Sequence, residues 1–195
     1  MILGSFDSDK EKIVKYYKKI TLKDGRECTL RNGEERDGEA VLANFILTHE
    51  QTDYLLSYPD ESTMTAEQEG RFLQEKTDSD SGIELLAEVD GMVAGLAGFD
   101  AVGGREKIRH RADFGISVDR QYWNLGIGTA LMCACIECAR AAGYEQIELS
   151  VVAENEPAIA MYRKAGFVEY GRNPRGFKSR FTGYQELVYM RMELR

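Results

Sequence analysis

Two stretches of this chain carry residue types whose spacing could do chemistry. From Gln121 to Met132 it reads QYWNLGIGTALM, and from Glu154 to Phe167 it reads ENEPAIAMYRKAGF. In the first, Asn124-Leu125-Gly126-Ile127-Gly128-Thr129 lies between a predicted strand end and a predicted helix start. Glycine lets the main chain approach an anion closely, and a helix N-terminus offers unpaired N–H groups and a partial positive charge. A diphosphate is the natural guest. The Lys-Ser/Thr pair of a phosphate-binding Walker loop is absent, since Thr129-Ala130 follows Gly128, and the three-glycine dinucleotide fingerprint is absent too. Taken alone, the turn fits a purely structural connection equally well. The second stretch places Tyr162 on a helix with Pro157 in its first turn and Gly166 at its end. A phenol with an unperturbed pKa of about 10 stays protonated at neutral pH and can donate. A core tyrosine on an amphipathic helix is the other reading of that position.

These residues need a scaffold, and the patterning predicts one. Lys18–Leu22 and Glu27–Arg31 flank an Asp24-Gly25 turn signal and predict a hairpin. Gly38–His49 has helical apolar spacing at Val41, Phe45 and Ile46. A second helix is predicted from Thr65, where Thr65-x-x-Gln68 resembles a capping box, to about Lys76. Ile83–Val89 and Met92–Phe99 form a hairpin about Asp90-Gly91, and Ala112–Val118 is a strand leading into the glycine turn. Gly126–Ala142 is a helix closed by Gly143 and buried on most sides. Gln146–Ala153 is a strand, and the helix holding Pro157 ends at Gly166. Phe167–Tyr170 and Glu186–Leu194 are two strands joined by a long basic, aromatic loop. The order implies a mixed α/β sheet.

The glycine turn followed by Asn155, Ala158, Tyr162 and Gly166-Phe167 resembles the GNAT superfamily of acetyl-coenzyme A-dependent N-acetyltransferases. The resemblance spans Glu27 to the C-terminus and is strongest from Phe114 to Tyr170. It implies a GNAT-like α/β fold in a single domain over residues 1–195, with an N-terminal extension over about residues 1–17. It implies that acetyl-CoA is held by Ile116, Val118, Asn124, Leu125, Gly126, Ile127, Gly128, Thr129, Asn155 and Tyr162. The main-chain N–H of Val118 would meet the thioester carbonyl oxygen, and Tyr162 would protonate the departing thiolate. One departure stands out. Where the family carries Gln or Arg, three residues before Gly126, this chain has Trp123, so the phosphate grip should rest on main-chain N–H groups, with Trp123 packed under the turn.

The implied reaction moves an acetyl group to a primary amine of a small molecule, a polyamine, an aminoglycoside-like compound or a protein. A coenzyme A-binding regulatory module without efficient catalysis is the alternative. The general base is not given by the pattern. The family's glutamate position is Ala112 here, Asp113 should face the opposite side of its strand, and Glu84 and Glu88 share a face on the first hairpin. The region His49–Met64 and the loop Tyr170–Tyr184 are expected to shape the acceptor pocket, with Tyr54, Tyr58 and Tyr184 as candidate lining.

Composition bounds the partners. The formal net charge is −8 over 195 residues, which excludes the basic footprint of a nucleic-acid binder. The basic run from Arg105 through Lys107 and Arg109 to Arg111 reads as a solvated loop and strand end, with contact to coenzyme phosphates or an acidic substrate as the other reading. No apolar run is long enough to span a membrane, and the charged N-terminus does not read as a secretory signal; a cytoplasmic protein is expected. Cys28, Cys133, Cys135 and Cys138 show no metal-site spacing with a nearby histidine and are expected to be small buried residues in a reducing compartment. No metal cofactor is expected, and the resemblance admits a homodimer.

Overall fold

The computed structural model describes residues 14–194. Most of the N-terminal extension expected over about residues 1–17 lies outside the described residues; its last member, Tyr17, already begins a strand. The strands are β1 (Tyr17–Thr21), β2 (Glu27–Asn32), β3 (Ile83–Val89), β4 (Met92–Ala101), β5 (Arg111–Val118), β6 (Gln146–Val152), β7 (Val168–Ser179) and β8 (Gly183–Glu193). They form an eight-stranded mixed sheet in the order β1-β2-β3-β4-β5-β6-β8-β7. The helices are α1 (Gly38–Gln51), α2 (Ala66–Asp78), α3 (Ile127–Ala142) and α4 (Glu156–Ala165).

Alternation along the strands sends one set of side chains to each face. Ile83, Leu85, Ala87 and Val89 of β3 join Leu131, Met132, Cys135 and Ile159 in the main core, under α3 and α4. Leu86 and Leu96 meet Val41 of α1 and Leu73 of α2 on the other face. The helix ends follow their predicted signals. Thr65 Oγ1 accepts from Gln68 N at 3.2 Å and Gln68 Oε1 accepts from Thr65 N at 2.8 Å, the reciprocal box that opens α2. Gly143 and Gly166 close α3 and α4 at φ of 92° and 109°.

Every neighbouring pair is antiparallel except β5 with β6. That parallel ladder covers only Arg111↔Gln146, Ala112↔Ile147 and Asp113↔Glu148. Beyond it β5 runs on to Val118 and β6 to Val152 without pairing each other, so the sheet opens into a wedge.

The region expected as a loop between Tyr170 and Glu186 is instead a long hairpin, β7 pairing with β8 from Val168↔Arg191 to Ser179↔Gly183. Its pattern is obscured because β7 is an edge strand, exposed along most of its length, so it has no apolar face to reveal. The register shifts between Asn173 and Phe177 absorb Pro174, which has no N–H to give a regular ladder.

Candidate active site

The wedge is lined on one side by β5. Asp119 N donates to Ala94 O and Val102 N to Arg111 O, so the odd-numbered residues of β5 direct their main-chain groups at β4. By the alternation of an antiparallel ladder, Ile116 and Val118 direct theirs into the wedge. The Val118 carbonyl accepts the indole N–H of Trp123 at 2.7 Å. The Val118 N–H faces the same gap, where an acceptor oxygen can meet it.

Immediately after β5 the chain makes a 3-10 turn over Arg120–Tyr122 and then the glycine turn. Asn124 adopts φ of 64° and Gly126, the N-cap of α3, adopts φ of 103°. The left-handed region is open to glycine without penalty, which explains Gly126. A Cβ built on Gly126 meets nothing within 4 Å, so the space over the helix N-terminus is open. Gly128 is crowded from another side: its added Cβ would touch Met161 Sδ at 3.4 Å and Ile116 Cδ1 at 3.9 Å. Thus α3, α4 and β5 converge at the mouth of the wedge. Ile127 is 1% exposed and belongs to the core, so it offers its main chain only. Leu125 packs on that core and its carbonyl accepts from Lys23 N, which ties the turn to the β1–β2 hairpin. Thr129 is exposed in the first turn of α3.

Asn155 caps α4, its Oδ1 accepting from Ala158 N at 3.4 Å. Its carboxamide N–H groups make no hydrogen bond among the described residues. Tyr162, two turns on, is 6% exposed and packs edge-on to Phe114 of β5 at 6.3 Å between centroids and against Phe167 at 5.8 Å. Its hydroxyl bonds no described residue. Burial pushes the phenol well above its ordinary pKa. It is therefore a neutral O–H at all physiological pH, held beside the strand that faces the wedge.

Trp123 departs from its expected place. It is 46% exposed and lies over the end of β5 rather than under the turn, with the Arg120 guanidinium 5.5 Å from its ring. Tyr122 takes the buried position instead. Trp123 forms one wall of a cleft of about 550 Å³ shared with Tyr54, Tyr184, Asp53 and Glu154. The segment after α1 and the tip of the β7–β8 hairpin thus meet at one cleft, where Ser179 Oγ donates to Asp53 Oδ2 at 2.6 Å. Tyr58 is not in that lining; its hydroxyl donates to Asp53 and accepts from Arg180 N. The two flanks are also tied together. Gln51, in the last turn of α1, donates from Nε2 to Asp119 Oδ1 at 2.8 Å and accepts at Oε1 from Arg120 N at 2.8 Å.

The carboxylates considered as bases lie elsewhere. Glu84 sits beneath α2 near Lys76 and Glu69, where burial pushes its pKa up to about 8. Glu88 pairs with Arg31 at 3.0 Å. Asp113 is on the exposed face of β5, opposite Ala112, beside Glu148. The basic run of residues 105–111 stands at the start of β5, the opposite end from the glycine turn; Arg111 forks onto Glu148 at 2.7 and 2.8 Å. Cys28, Cys135 and Cys138 are buried, whereas Cys133 is exposed on the outer side of α3. Among the described residues no group of three or more His, Cys, Asp or Glu side chains could hold a metal ion.

Comparison with known proteins decides the family. The model of the acetyltransferase (GNAT) family matches residues 44–167. This chain belongs to the GNAT family. An L-amino acid N-acetyltransferase of Escherichia coli, AaaT, is 33% identical over 84% of this chain and 96% of its own length. A GNAT-family acetyltransferase structure from Streptococcus pneumoniae superposes with a TM-score of 0.81 at 30% identity, covering 85% of this chain and 99% of the other. A Salmonella typhimurium putative acetyltransferase solved with acetyl-CoA shares the fold with a TM-score of 0.76 at 18% identity, over 86% and 94% of the two chains. The GNAT chain described here is an acyltransferase that moves an acetyl group from acetyl-CoA to a primary amine.

Proposed function

We propose that this acetyltransferase acts on the α-amine of a free amino acid or a close analogue, as a single catalytic domain working in the cytoplasm. The observation that carries the substrate class is the near full-length likeness to an L-amino acid N-acetyltransferase. The size of the cleft, about 550 Å³, suits a small molecule. The four free cysteines, with Cys28, Cys135 and Cys138 buried, fit a reducing compartment, and no helix among the described residues is long and apolar enough to cross a membrane.

In this reading the diphosphate of acetyl-CoA lies over the N-terminus of α3, received by main-chain N–H groups of the Asn124–Thr129 turn. The open space above Gly126 supports that placement. Ile116 and Val118 line the wedge for the pantetheine arm, and the Asn155 carboxamide supplies donors to it. The Val118 N–H receives the thioester oxygen as negative charge develops there. The amine nitrogen attacks the carbonyl carbon, the C–N bond forms and the C–S bond breaks. Tyr162 gives its proton to the departing thiolate and regains one from the nitrogen. A neutral phenol buried beside β5, with its hydroxyl unpaired, supports that role.

A panel of L-amino acids, polyamines, aminoglycosides and peptides, incubated with acetyl-CoA and read by mass spectrometry, tests the substrate class. N-acetylated amino acids with stoichiometric free coenzyme A are expected. Acetylation confined to peptides or polyamines would overturn it.

A further inference from the structure

We propose that Glu154 is the carboxylate that holds the acceptor's ammonium group in the cleft. This rests on the reading that the acceptor occupies the cleft between the α1 flank and the β7–β8 hairpin. Its carboxylates are Asp53 and Glu154. Asp53 is committed elsewhere. Its Oδ2 accepts from Ser179 Oγ at 2.6 Å, Gln185 Nε2 at 3.2 Å and Thr182 Oγ1 at 3.3 Å, and its Oδ1 accepts from Tyr58 at 3.3 Å. Three donors converge on Oδ2 and a fourth holds Oδ1, so Asp53 is committed chiefly to joining parts of the fold. It fastens the chain after α1 to the hairpin tip.

Glu154 is the opposite case. It is exposed to the cleft and makes no hydrogen bond or ion pair with any described residue. Its backbone is held on both sides: Ala153 N donates to Glu186 O, and Asn155 N donates to Val152 O. The carboxylate is therefore delivered on a fixed stem, with Asn155 of the donor side as its next neighbour. Arg120, the cation lining the cleft, is engaged with the Gln51 carbonyl and the Trp123 ring. The walls are Tyr54, Trp123 and Tyr184; Arg120 lies over the Trp123 ring and Arg175 and Lys178 over that of Tyr184, so the rings supply apolar surface and Glu154 the charge. One unpaired negative charge at the mouth of a cleft walled by aromatic rings selects a ligand with a primary ammonium on an apolar body.

The position also suits the chemistry. An alkylammonium must shed one proton before its nitrogen can attack. Held by Glu154 at the open mouth of the cleft, it can pass that proton to solvent. The neutral nitrogen then forms the C–N bond as the C–S bond breaks, and gives up a second proton to restore Tyr162. The net change is ammonium plus acetyl-CoA to amide, coenzyme A and one proton.

Trp123 is the chain's single tryptophan and stands in this wall, so its fluorescence reports on the cleft. Phenethylammonium and phenethyl alcohol, of like shape but different charge, should be titrated into the parent and the Glu154→Gln variant. The parent should bind the ammonium at least about tenfold more tightly than the alcohol. Glu154→Gln should lose that preference, and added salt should weaken ammonium binding in the parent alone. Equal affinity of the parent for the two ligands, or a preference retained in Glu154→Gln, overturns the assignment. No response of Trp123 to either ligand overturns the cleft itself. In turnover, Glu154→Gln should raise the acceptor KM with the acetyl-CoA KM unchanged; a rise in the acetyl-CoA KM instead would count against the proposal.

Discussion

The donor and acceptor flanks of the wedge are built on different principles. On the flank proposed to hold acetyl-CoA the groups offered are main-chain N–H groups at the end of β5 and the start of α3, a helix cap, and a tyrosine packed against Phe114 and Phe167. On the flank proposed for the acceptor they are exposed side chains, Tyr54, Trp123, Glu154 and Tyr184, brought together from four separate parts of the chain. A pre-organised main chain tolerates few sequences, whereas a set of exposed side chains can be exchanged one at a time. In the proposed reading the first flank fixes the reaction and the second adjusts its substrate.

The sharpest way to break this contrast is Tyr162→Phe. The ring stays packed and only the proton is lost, so kcat should fall by about a hundred- to ten-thousand-fold with acetyl-CoA affinity nearly unchanged. Stopped-flow or steady-state rates at saturating substrates decide it; turnover within about twofold of the parent would remove Tyr162 from the chemistry. Because burial raises this phenol, the parent's activity should show no alkaline decline at the ordinary tyrosine pKa.

Next in size is Gly126→Asp. It forces a side chain into φ of 103° and sets a like charge in the open space above α3. Acetyl-CoA binding by calorimetry should weaken by about a hundredfold or more, with circular dichroism confirming the fold. On the other flank, Tyr184→Ala should raise the acceptor KM by about tenfold and leave acetyl-CoA binding intact, the pattern of lost ground-state contact. A donor-side effect of similar size would erase the distinction between the flanks.

The smallest effect concerns neither flank. Glu84 has its pKa raised from 4.5 to about 8 by burial under α2. The native state therefore holds a proton that the unfolded chain has released, and this group's contribution to stability falls as pH rises from 4.5 to about 8. Glu84→Gln should raise the melting temperature by a few degrees (roughly 2–4 °C per kcal/mol) at pH 8.5 and change it little at pH 5. An equal shift at both values would show that packing, not ionisation, governs the site.

How much of this was legible in the sequence follows the same contrast. The glycine turn, Asn155 and Tyr162 are legible because φ of 103°, a cap and a buried phenol each demand a narrow choice of residue. The sheet was legible wherever a strand has one apolar face. It was legible in β7 only as far as Tyr170; beyond that the edge position leaves both faces polar, so the rest of the strand reads as a loop. Trp123 was misplaced because its residue type signals burial, while its indole N–H is drawn outward to the Val118 carbonyl. Cys133 was likewise expected inside and is exposed, since helical spacing separates it from Cys135 by about half a turn. Glu154 adjoins Asn155 in the motif, yet nothing in the motif marks it. Its isolation stands out only when Asp53 Oδ2 is seen to be engaged by Ser179, Thr182 and Gln185, more than a hundred residues away.

The tie from Gln51 to Asp119 and Arg120 carries a consequence for equilibrium behaviour. Through it the last turn of α1, beside the proposed acceptor cleft, and the 3-10 turn that leads from β5 to the glycine turn share one hydrogen-bonded node. A displacement of either segment must be taken up by the other. If acetyl-CoA and acceptor bind as proposed, occupancy of the two sites should be linked through this node by one interaction free energy that acts equally in both directions. Whatever factor acetyl-CoA applies to acceptor affinity, the acceptor returns to acetyl-CoA, and Gln51→Ala, which also changes one lining residue of the cleft, should bring that factor toward one.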